Sequence, residues 1–552
     1  MWRLMAVAFA LAVGVGPPCS YAKEASPPSH SKSSALDSLV VFHTNDTHAQ
    51  LMPYTLKGGP PAGGAAARAA LIGRVRGGDR ARTLLLDAGD VFQGTPYFTF
   101  YRGRPDYTLM TRMGYDAGIL GNHDLDDGPA AWRRAAAAAG FPLLSANLYG
   151  AAESTWALGD TVSAEDRKGA RWVGRAKVPA EARLRYLTQR FTVMTLPSGL
   201  RVALFGLVTE DVTTIVAVRP NGGVAVGDPV AVAKKLVPEL RRQADVVIAV
   251  THLGVEQDRK LAERVPGIDL IVGGHSHTPL QKPILIHNAT PNGYDGTVVV
   301  QAGSRGVYLG RIALYQKGRT PTRYAGSLLP VNPADGEDAS VLAYLKPLAD
   351  SMSVLTDRPV FLMAEPVLSS GLRDGETPLG NFVADVARDA GQAEIGIVNS
   401  GGIRAPLPKG QITAGDIYSV VPFDNEVAVV TMPGWQLRQL LDFGARRLGK
   451  GGFPQVSGVS FTIRGDHATD IKVGGRVLDS ERMYRVATID FLIGGGDGYT
   501  IFSKAGEPER TGVMLRDAAV DFLQRNPSYA FRKDGRIHWE GSMRGLGGMR
   551  MR

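Results

Sequence analysis

Thr83-Leu84-Leu85-Leu86-Asp87-Ala88-Gly89-Asp90 is a short apolar run that stops abruptly at two carboxylates and a glycine. Four apolar residues bounded by a turn former read as a buried strand, and the polar residues behind them stand at its carboxyl end. The same plan recurs along the first half of the chain. Leu39–Phe42 runs into His43-Thr44-Asn45-Asp46-Thr47-His48, and Ile119-Leu120 into Gly121-Asn122-His123-Asp124. Val246–Val250 runs into Thr251-His252-Leu253-Gly254, and Leu270–Val272 into Gly273-Gly274-His275-Ser276-His277-Thr278. With a further run at Val202–Leu207 and helical stretches between, the pattern predicts an α/β architecture. One such helix is opened by Asp127-Gly128-Pro129 and closed by Gly140 and Pro142.

In open α/β sheets, ligands bind beyond the carboxyl ends of the strands. Five polar clusters at five such ends can therefore converge. Each alone is weak, since an isolated Asp-x-His is usually a surface loop and a lone His usually a satisfied structural residue. Together they are a metal-ligand set. Two neighbouring cations repel and need an anionic ligand between them, a position that suits Asp90. Mixed Asp, Asn and His donors favour Zn, Mn, Fe or Co. A cation pair ~4 Å apart can activate water and hold a phosphoryl group for in-line attack. Glycines 89, 121, 273 and 274 let the backbone turn sharply beside the ligands.

The chain has 552 residues, more than one ordinary domain holds. Apolar residues at 44% can build sizeable cores, and charged residues at 21% argue against wholesale disorder. A net charge of +9 fits anionic ligands without choosing between nucleic acid, a phosphorylated metabolite and an anionic surface. Arg3 precedes an apolar run, Leu4 to Val15, that is shorter than the ~20 residues of a membrane span. Ser20-Tyr21-Ala22 follows with small residues, so residues 1–22 read as a secretory signal peptide and the protein as periplasmic or secreted. The single cysteine, Cys19, falls inside it, which leaves the mature chain without a disulfide or a thiolate ligand. No later stretch is long and apolar enough to span a membrane.

Residues 23–36 are rich in Ser, Pro and Lys and read as a flexible lead-in. The α/β pattern fills residues 37–332, with the polar stretch 151–179 read as a surface insertion. Residues 333–359 begin acidic, Asp335 to Asp338, and continue with a helical pattern interrupted by Pro347; they read as a linker. A second globular unit spans 360–525, and residues 526–552 read as a basic tail, poorly ordered from Arg532. In the second unit, Arg373-x-x-Glu376 precedes Leu379-Gly380-Asn381, and Asn399-Ser400-Gly401-Gly402-Ile403-Arg404 follows the run Ile395–Val398. Phe423 and Phe491 each lie near a turn, and Gly494-Gly495-Gly496-Asp497-Gly498-Tyr499 closes the set. Arginines pair with phosphate by fork geometry, two rings can sandwich a base, and a carboxylate can accept hydrogen bonds from ribose. These are the parts of a nucleotide clamp. A single Phe would read first as core packing, and the glycine run alone as a plain loop.

On these segments, which span almost the whole mature chain, the sequence resembles the 5′-nucleotidase family of bacteria and animals. The resemblance implies an N-terminal metallophosphoesterase β-sandwich flanked by helices, joined by a helical linker to a C-terminal α/β substrate-binding domain. It implies two divalent cations, one held by Asp46, His48, Asp90 and His277, the other by Asp90, Asn122, His252 and His275. His277 stands where many relatives carry Gln, a departure that bears on metal preference. His123 and Asp126 match the catalytic pair, in which the imidazole stabilises charge on the transferring group and the carboxylate orients it. Asp124 and Leu125 replace a Glu and an aromatic. Arg373, Asn399 and Arg404 match positions that hold phosphate and ribose, Phe423 and Phe491 the base-stacking pair, and Asp497 the ribose carboxylate. Family members rotate the second domain to bring phosphate to the metals, which implies a hinge near 333–359. The implied activity is that of an exported 5′-nucleotidase, with UDP-sugars or 2′,3′-cyclic nucleotides as close variants. Two further readings stand beside it: a thiosulfohydrolase of sulfur oxidation, and a secreted binding protein with a degenerate site. The implied partner is a nucleotide, with no nucleic acid required; the sequence does not give the oligomeric state.

Overall fold

The computed structural model describes residues 38–540 apart from 56–59, 156, 158, 173–181 and 216–222. The signal peptide expected over 1–22 lies outside these residues. Two six-stranded sheets build the N-terminal half. The first runs in the order Thr320–Pro330, Tyr308–Lys317, Ser38–Thr44, Thr83–Asp87, Ala117–Ile119, Leu143–Leu144, and the second Phe191–Thr195, Arg201–Val208, Val246–His252, Leu270–Gly273, Gly296–Gln301, Ile284–His287. Parallel pairing sets Thr44 beside Asp87 and Asp87 beside Gly118, so three strands end at one level. In the second sheet Thr251 stands beside Gly273 in the same way.

The two-residue period of a strand decides which faces meet. Leu39, Val41, Leu84 and Leu86 of the first sheet share a core with Leu204, Ile248, Val250 and Val272 of the second. Phe42 and Leu85 point the other way, onto a cluster that includes Ile72 and Leu109 of the helices Ala65–Arg76 and Arg104–Met113. Val247, Ala249 and Ile271 face the helices Pro229–Gln243 and Val255–Arg264. Helices thus cover both outer faces, which is why the strands read as unbroken apolar runs.

The segment read as a linker contains the 18-residue helix Ala339–Thr356, capped by the Asp338 side chain. Pro347 lies inside the helix and does not end it. Val341, Leu345 and Met352 join the N-terminal core, and that burial holds the helix through the missing amide donor. The C-terminal half has one core between a five-stranded sheet and a four-stranded sheet. The five-stranded sheet runs Pro454–Ser457, Ile395–Asn399, Met483–Ile489, Glu426–Pro433, Glu509–Met514.

Three expectations are corrected. The helix from Pro129 ends at Ala136, short of Gly140. The stretch 151–179 is more than a surface insertion: Val162 and Ala170 pack with Tyr149, Tyr186 and Ala225, and Arg171–Trp172 pairs with Val224–Val226. Residues 532–540 of the tail are ordered. Ile537–Glu540 pairs with Val459–Arg464, and Arg536 donates to both carboxylate oxygens of Asp385 at 2.7 and 3.0 Å. Composition alone marked these residues as tail, whereas their order comes from a partner some 150 residues earlier in the chain. No helix among the described residues is long and apolar enough to cross a membrane.

Candidate active site

All seven expected metal ligands come together. Asp46, His48 and His277 form one group of converging donor atoms, and Asp46, Asp90 and His252 another. His48 Nε2 lies 3.0 Å from His277 Nε2, and His252 Nε2 lies 3.2 Å from Asp90 Oδ2. Asn122 Oδ1 and His275 Nδ1 are 3.0 Å apart, and the His275 amide donates to Asp46 Oδ2 at 2.9 Å. Asp90 Oδ2 stands between His252 and His48, 4.0 Å from the latter. Asp46 Oδ1 stands between His277, at 3.3 Å, and His252, at 3.9 Å. Both carboxylates are therefore central.

The ring nitrogens on the far side fix how the imidazoles are used. His48 Nδ1 meets the Phe92 carbonyl at 3.0 Å, and His252 Nδ1 the Ala88 carbonyl at 2.7 Å. A carbonyl only accepts, so each Nδ1 carries a proton and each Nε2 faces the carboxylates; at His252 burial opposes a second proton on the ring, but Asp90 and Asp46 outweigh it and raise the imidazole to about 10. His252 Nε2 is buried without a hydrogen-bond partner. Imidazole nitrogens and carboxylates that converge in this way fit a pair of divalent cations, whose binding would displace that proton. Burial pushes Asp46 upward, but His277 and His252 outweigh it and hold the carboxyl at about 2. Burial, then His277 and Arg404, keep His48 well below its ordinary value and hence neutral.

The backbone of these loops is unusual. Asp46, His48, Asp90, His275 and His277 have φ of 50°, 51°, 54°, 78° and 55°. Non-glycine residues persist there only when the surroundings hold them. Close packing is part of that hold: a Cβ at Gly274 would press on Ala88 O at 2.7 Å and His252 Nδ1 at 2.9 Å. Asp124 is another part. Its buried carboxylate accepts from the amides of Gly121 (2.7 Å), Phe92 (2.9 Å) and Asp90 (3.2 Å), which ties two ligand loops together. Sequence reasoning gave Asp124 no role beyond replacing a Glu. Its place one residue after Asn122-His123 was the available signal.

His123 donates from its amide to Asp90 Oδ1 at 2.8 Å, and its Nδ1 lies 2.7 Å from Asp126 Oδ2. Burial disfavours the imidazolium, yet Asp126 and Asp90 outweigh it and raise His123 above its ordinary value. Both residues line a cleft of about 590 Å³ with Asp90, Asn122, His275 and His277. The opposite wall carries every expected substrate residue: Arg373, Asn399, Arg404, Phe423, Phe491 and Asp497. Asn399 Nδ2 donates to Asp497 Oδ2 at 2.7 Å, and the Phe491 ring packs on Gly496, where any Cβ would strike it. The His123 and Phe423 rings are 5.5 Å apart, and Arg404 Nη2 reaches within 3.4 Å of His48 Nε2. Burial, then Arg305 and Arg373, lower Arg404 to about 10.

Two members of the expected clamp do other work. Glu376 accepts from Asn381 Nδ2 (2.7 Å) and from the amides of Asp534 (2.8 Å) and Arg536 (2.9 Å), and so anchors the C-terminal segment. Asn381 is part of the same anchor. Conversely, Arg447 and Lys450 line the cleft from a loop that sequence reasoning passed over. Its basic, glycine-rich run Arg447-Leu448-Gly449-Lys450-Gly451-Gly452 was the signal to read.

Residues 39–279 match the calcineurin-like phosphoesterase family and residues 361–504 the 5′-nucleotidase C-terminal domain family. The chain is 33% identical over 525 residues to the trifunctional nucleotide phosphoesterase protein YfkN of Bacillus subtilis, covering 88% of this chain and 34% of that one. It therefore spans about a third of that relative's length. Among solved structures, a 5′-nucleotidase precursor from Thermus thermophilus superposes with a TM-score of 0.79 at 31% identity, covering 92% of this chain and 100% of that one. The sulfate thiohydrolase SoxB from Thermus thermophilus shares the fold, with a TM-score of 0.71 at 17% identity, covering 93% of this chain and 98% of that one. With both family domains in sequence and a full-length counterpart in the Thermus protein, the chain belongs to the 5′-nucleotidase family of metal-dependent phosphoesterases, hydrolases of phosphoric esters.

Proposed function

We propose that the chain is an exported, metal-dependent 5′-nucleotidase that converts nucleoside 5′-phosphates to nucleoside and phosphate. UDP-sugars and 2′,3′-cyclic nucleotides are candidate further substrates of the same site. The observation that supports this reading best is the single cleft with metal ligands on one wall and Arg404, Phe423, Phe491 and Asp497 on the other. Asp46, His48, Asp90 and His277 would hold one cation, and Asp90, Asn122, His252 and His275 the other. Such a pair supplies an activated water and neutralises phosphoryl charge when bound.

The chain's own residues do the rest. Arg373 and Arg404 grip the phosphate, and Asn399 and Asp497 the ribose, while Phe423 and Phe491 stack on the base. His123, held by Asp126, whose carboxylate favours its protonated form, donates a hydrogen bond to the phosphoryl group as charge builds on it. Export to the periplasm or medium is supported by the leader Arg3 to Ala22.

Phosphate release from AMP, sulfate release from a cysteine-bound sulfonate on a carrier protein, and metal content are to be measured on one preparation. Phosphate release with about two divalent ions per chain is expected. Sulfate release without phosphate release would convert the reading to a thiosulfohydrolase, for which the paired phenylalanines have no use. Fewer than about one ion per chain after metal loading would support a binding protein instead.

A further inference from the structure

We propose that Arg305 is a positioning residue that registers the substrate arginine Arg404 against the metal centre across the domain boundary. Arg305 lies in the loop after Gly296–Gln301 and has φ of 58°, a conformation that marks a position fixed by its surroundings. Its two ends reach different walls of the cleft. The main-chain amide donates to the Asp46 carbonyl at 2.7 Å, so Arg305 is tied to a metal-ligand loop. Its Nη2 donates to the Arg404 carbonyl at 2.6 Å, 99 residues along the chain and on the other domain. Nη1 donates to Gln50 Oε1 at 3.2 Å, and the guanidinium lies 4.7 Å from the Tyr54 ring centre.

These contacts share a logic. Gln50 and Tyr54 belong to the segment just after the ligand His48, so two points of the N-terminal domain fix the guanidinium before it meets Arg404, and a third, the Asp46 carbonyl, fixes the backbone that carries it. The polar partners recorded for it among the described residues are neutral oxygens, which set direction without neutralising the charge. A planar fork can satisfy Gln50 and Arg404 together, whereas a lysine ammonium at the same place reaches one of them. On the far side, the Arg404 amide donates to Val420 O at 2.8 Å, and its own guanidinium points at His48. Arg305 thus grips Arg404 by the carbonyl, not the side chain, whose guanidinium stays on the cleft beside His48 and the Gly401 carbonyl. The inference rests on the nucleotidase reading in one respect, the phosphate role given to Arg404.

The test is a double-mutant cycle in the full-length, metal-loaded protein with a nucleoside monophosphate. Arg305→Asn is the first variant, because Asn tolerates the left-handed backbone and removes the fork. Arg404→Ala, the double variant and Arg305→Lys complete the set. Arg305→Asn should lower kcat/KM by about tenfold to a hundredfold, the weight of one hydrogen bond from a charged donor, with metal content unchanged. In the Arg404→Ala background the same change should cost less than about twofold. Arg305→Lys should recover part of the loss and give a folded control if the Asn variant is unstable. Equal losses in both backgrounds, or loss of metal in Arg305→Asn, would overturn the proposal, since Arg305 would then act on general stability or on Asp46. If Arg404→Ala leaves turnover unchanged, the phosphate role falls and the inference falls with it, an outcome distinct from additivity.

Discussion

The two walls of the cleft are built by opposite means. On the metal wall five of the seven candidate ligands have positive φ, whereas among the six candidate substrate residues only Asp497 does, at 52°. The metal wall uses side chains that start immediately after strand ends, so the backbone itself must aim them. The substrate wall uses arginines and phenylalanines, whose length does the aiming. Each strained residue costs on the order of 1–3 kcal/mol, and two buried carboxylates sit among them. Packing offsets that cost, and divalent cations, when bound, would offset more of it. The opposite wall, aimed by long side chains, can tolerate small displacements.

Metal removal should therefore be the largest perturbation of all. Chelation is expected to abolish turnover and also to lower the melting temperature, with both restored by divalent ions. If chelation leaves the melting temperature unchanged, the strained loops are held by packing alone. Asp90→Ala should lower occupancy at both ion positions and cut turnover by at least about a thousandfold, since it removes a central anion from a site that must bind two cations. Elemental analysis finding one ion per chain would show that Asp46 alone is shared. His123→Ala comes next: turnover should fall by about 10²–10⁴ while the ions stay, because its side chain faces Asp126 and the cleft. Loss of metal with His123 would merge catalytic pair and ligand set into one unit.

The same contrast explains what was legible in the sequence. The metal wall could be read because each ligand is local to a strand end, and a strand end is visible as an apolar run that stops. The α/β alternation was legible for the same reason, whereas the two-sheet sandwich came from the family resemblance. Asp124 was not, because its importance lies in three backbone amides that it receives from two loops. Arg305 was not, because its partners lie on both domains. Glu376 was misread as a clamp residue because the segment it anchors lies some 160 residues downstream. The order of residues 532–540 was missed with it. Motif reading finds residues whose work is set by their neighbours in the chain and misses those whose work is set by distant partners.

On the substrate wall, Phe491→Ala should remove one stacking face, worth about 1–3 kcal/mol per base. That corresponds to roughly a five- to hundredfold loss in kcat/KM for nucleoside monophosphates. p-Nitrophenyl phosphate, which has no base, should be spared. If both substrates lose equally, Phe491 supports the loop of Gly496 instead, and the substrate wall is as dependent on exact packing as the metal wall.

The smallest expected effect lies where the walls meet at the edge of the cleft. Arg102, on the metal side, donates from Nη1 to Asp127 Oδ2 at 2.9 Å and to Asp424 Oδ2 at 2.6 Å, and Asp424 is also paired with Arg516 on its own domain. Burial would raise Asp424, but Arg516 and then Arg102 hold it below its ordinary value, so the carboxylate stays charged. The Arg102 side chain is 43% exposed, and water screens much of its attraction. Arg102→Ala should thus weaken closure by about 0.2–1 kcal/mol. The expected readout is a rise in KM of no more than about fivefold, with kcat kept and the difference shrinking as salt is added. Arg516 continues to satisfy Asp424 in the variant, so that carboxylate keeps a partner. A loss larger than that of Phe491→Ala, or one indifferent to salt, would mean that the substrate wall is clamped as stiffly as the metal wall, and the contrast between a fixed wall and an adaptable one would not hold.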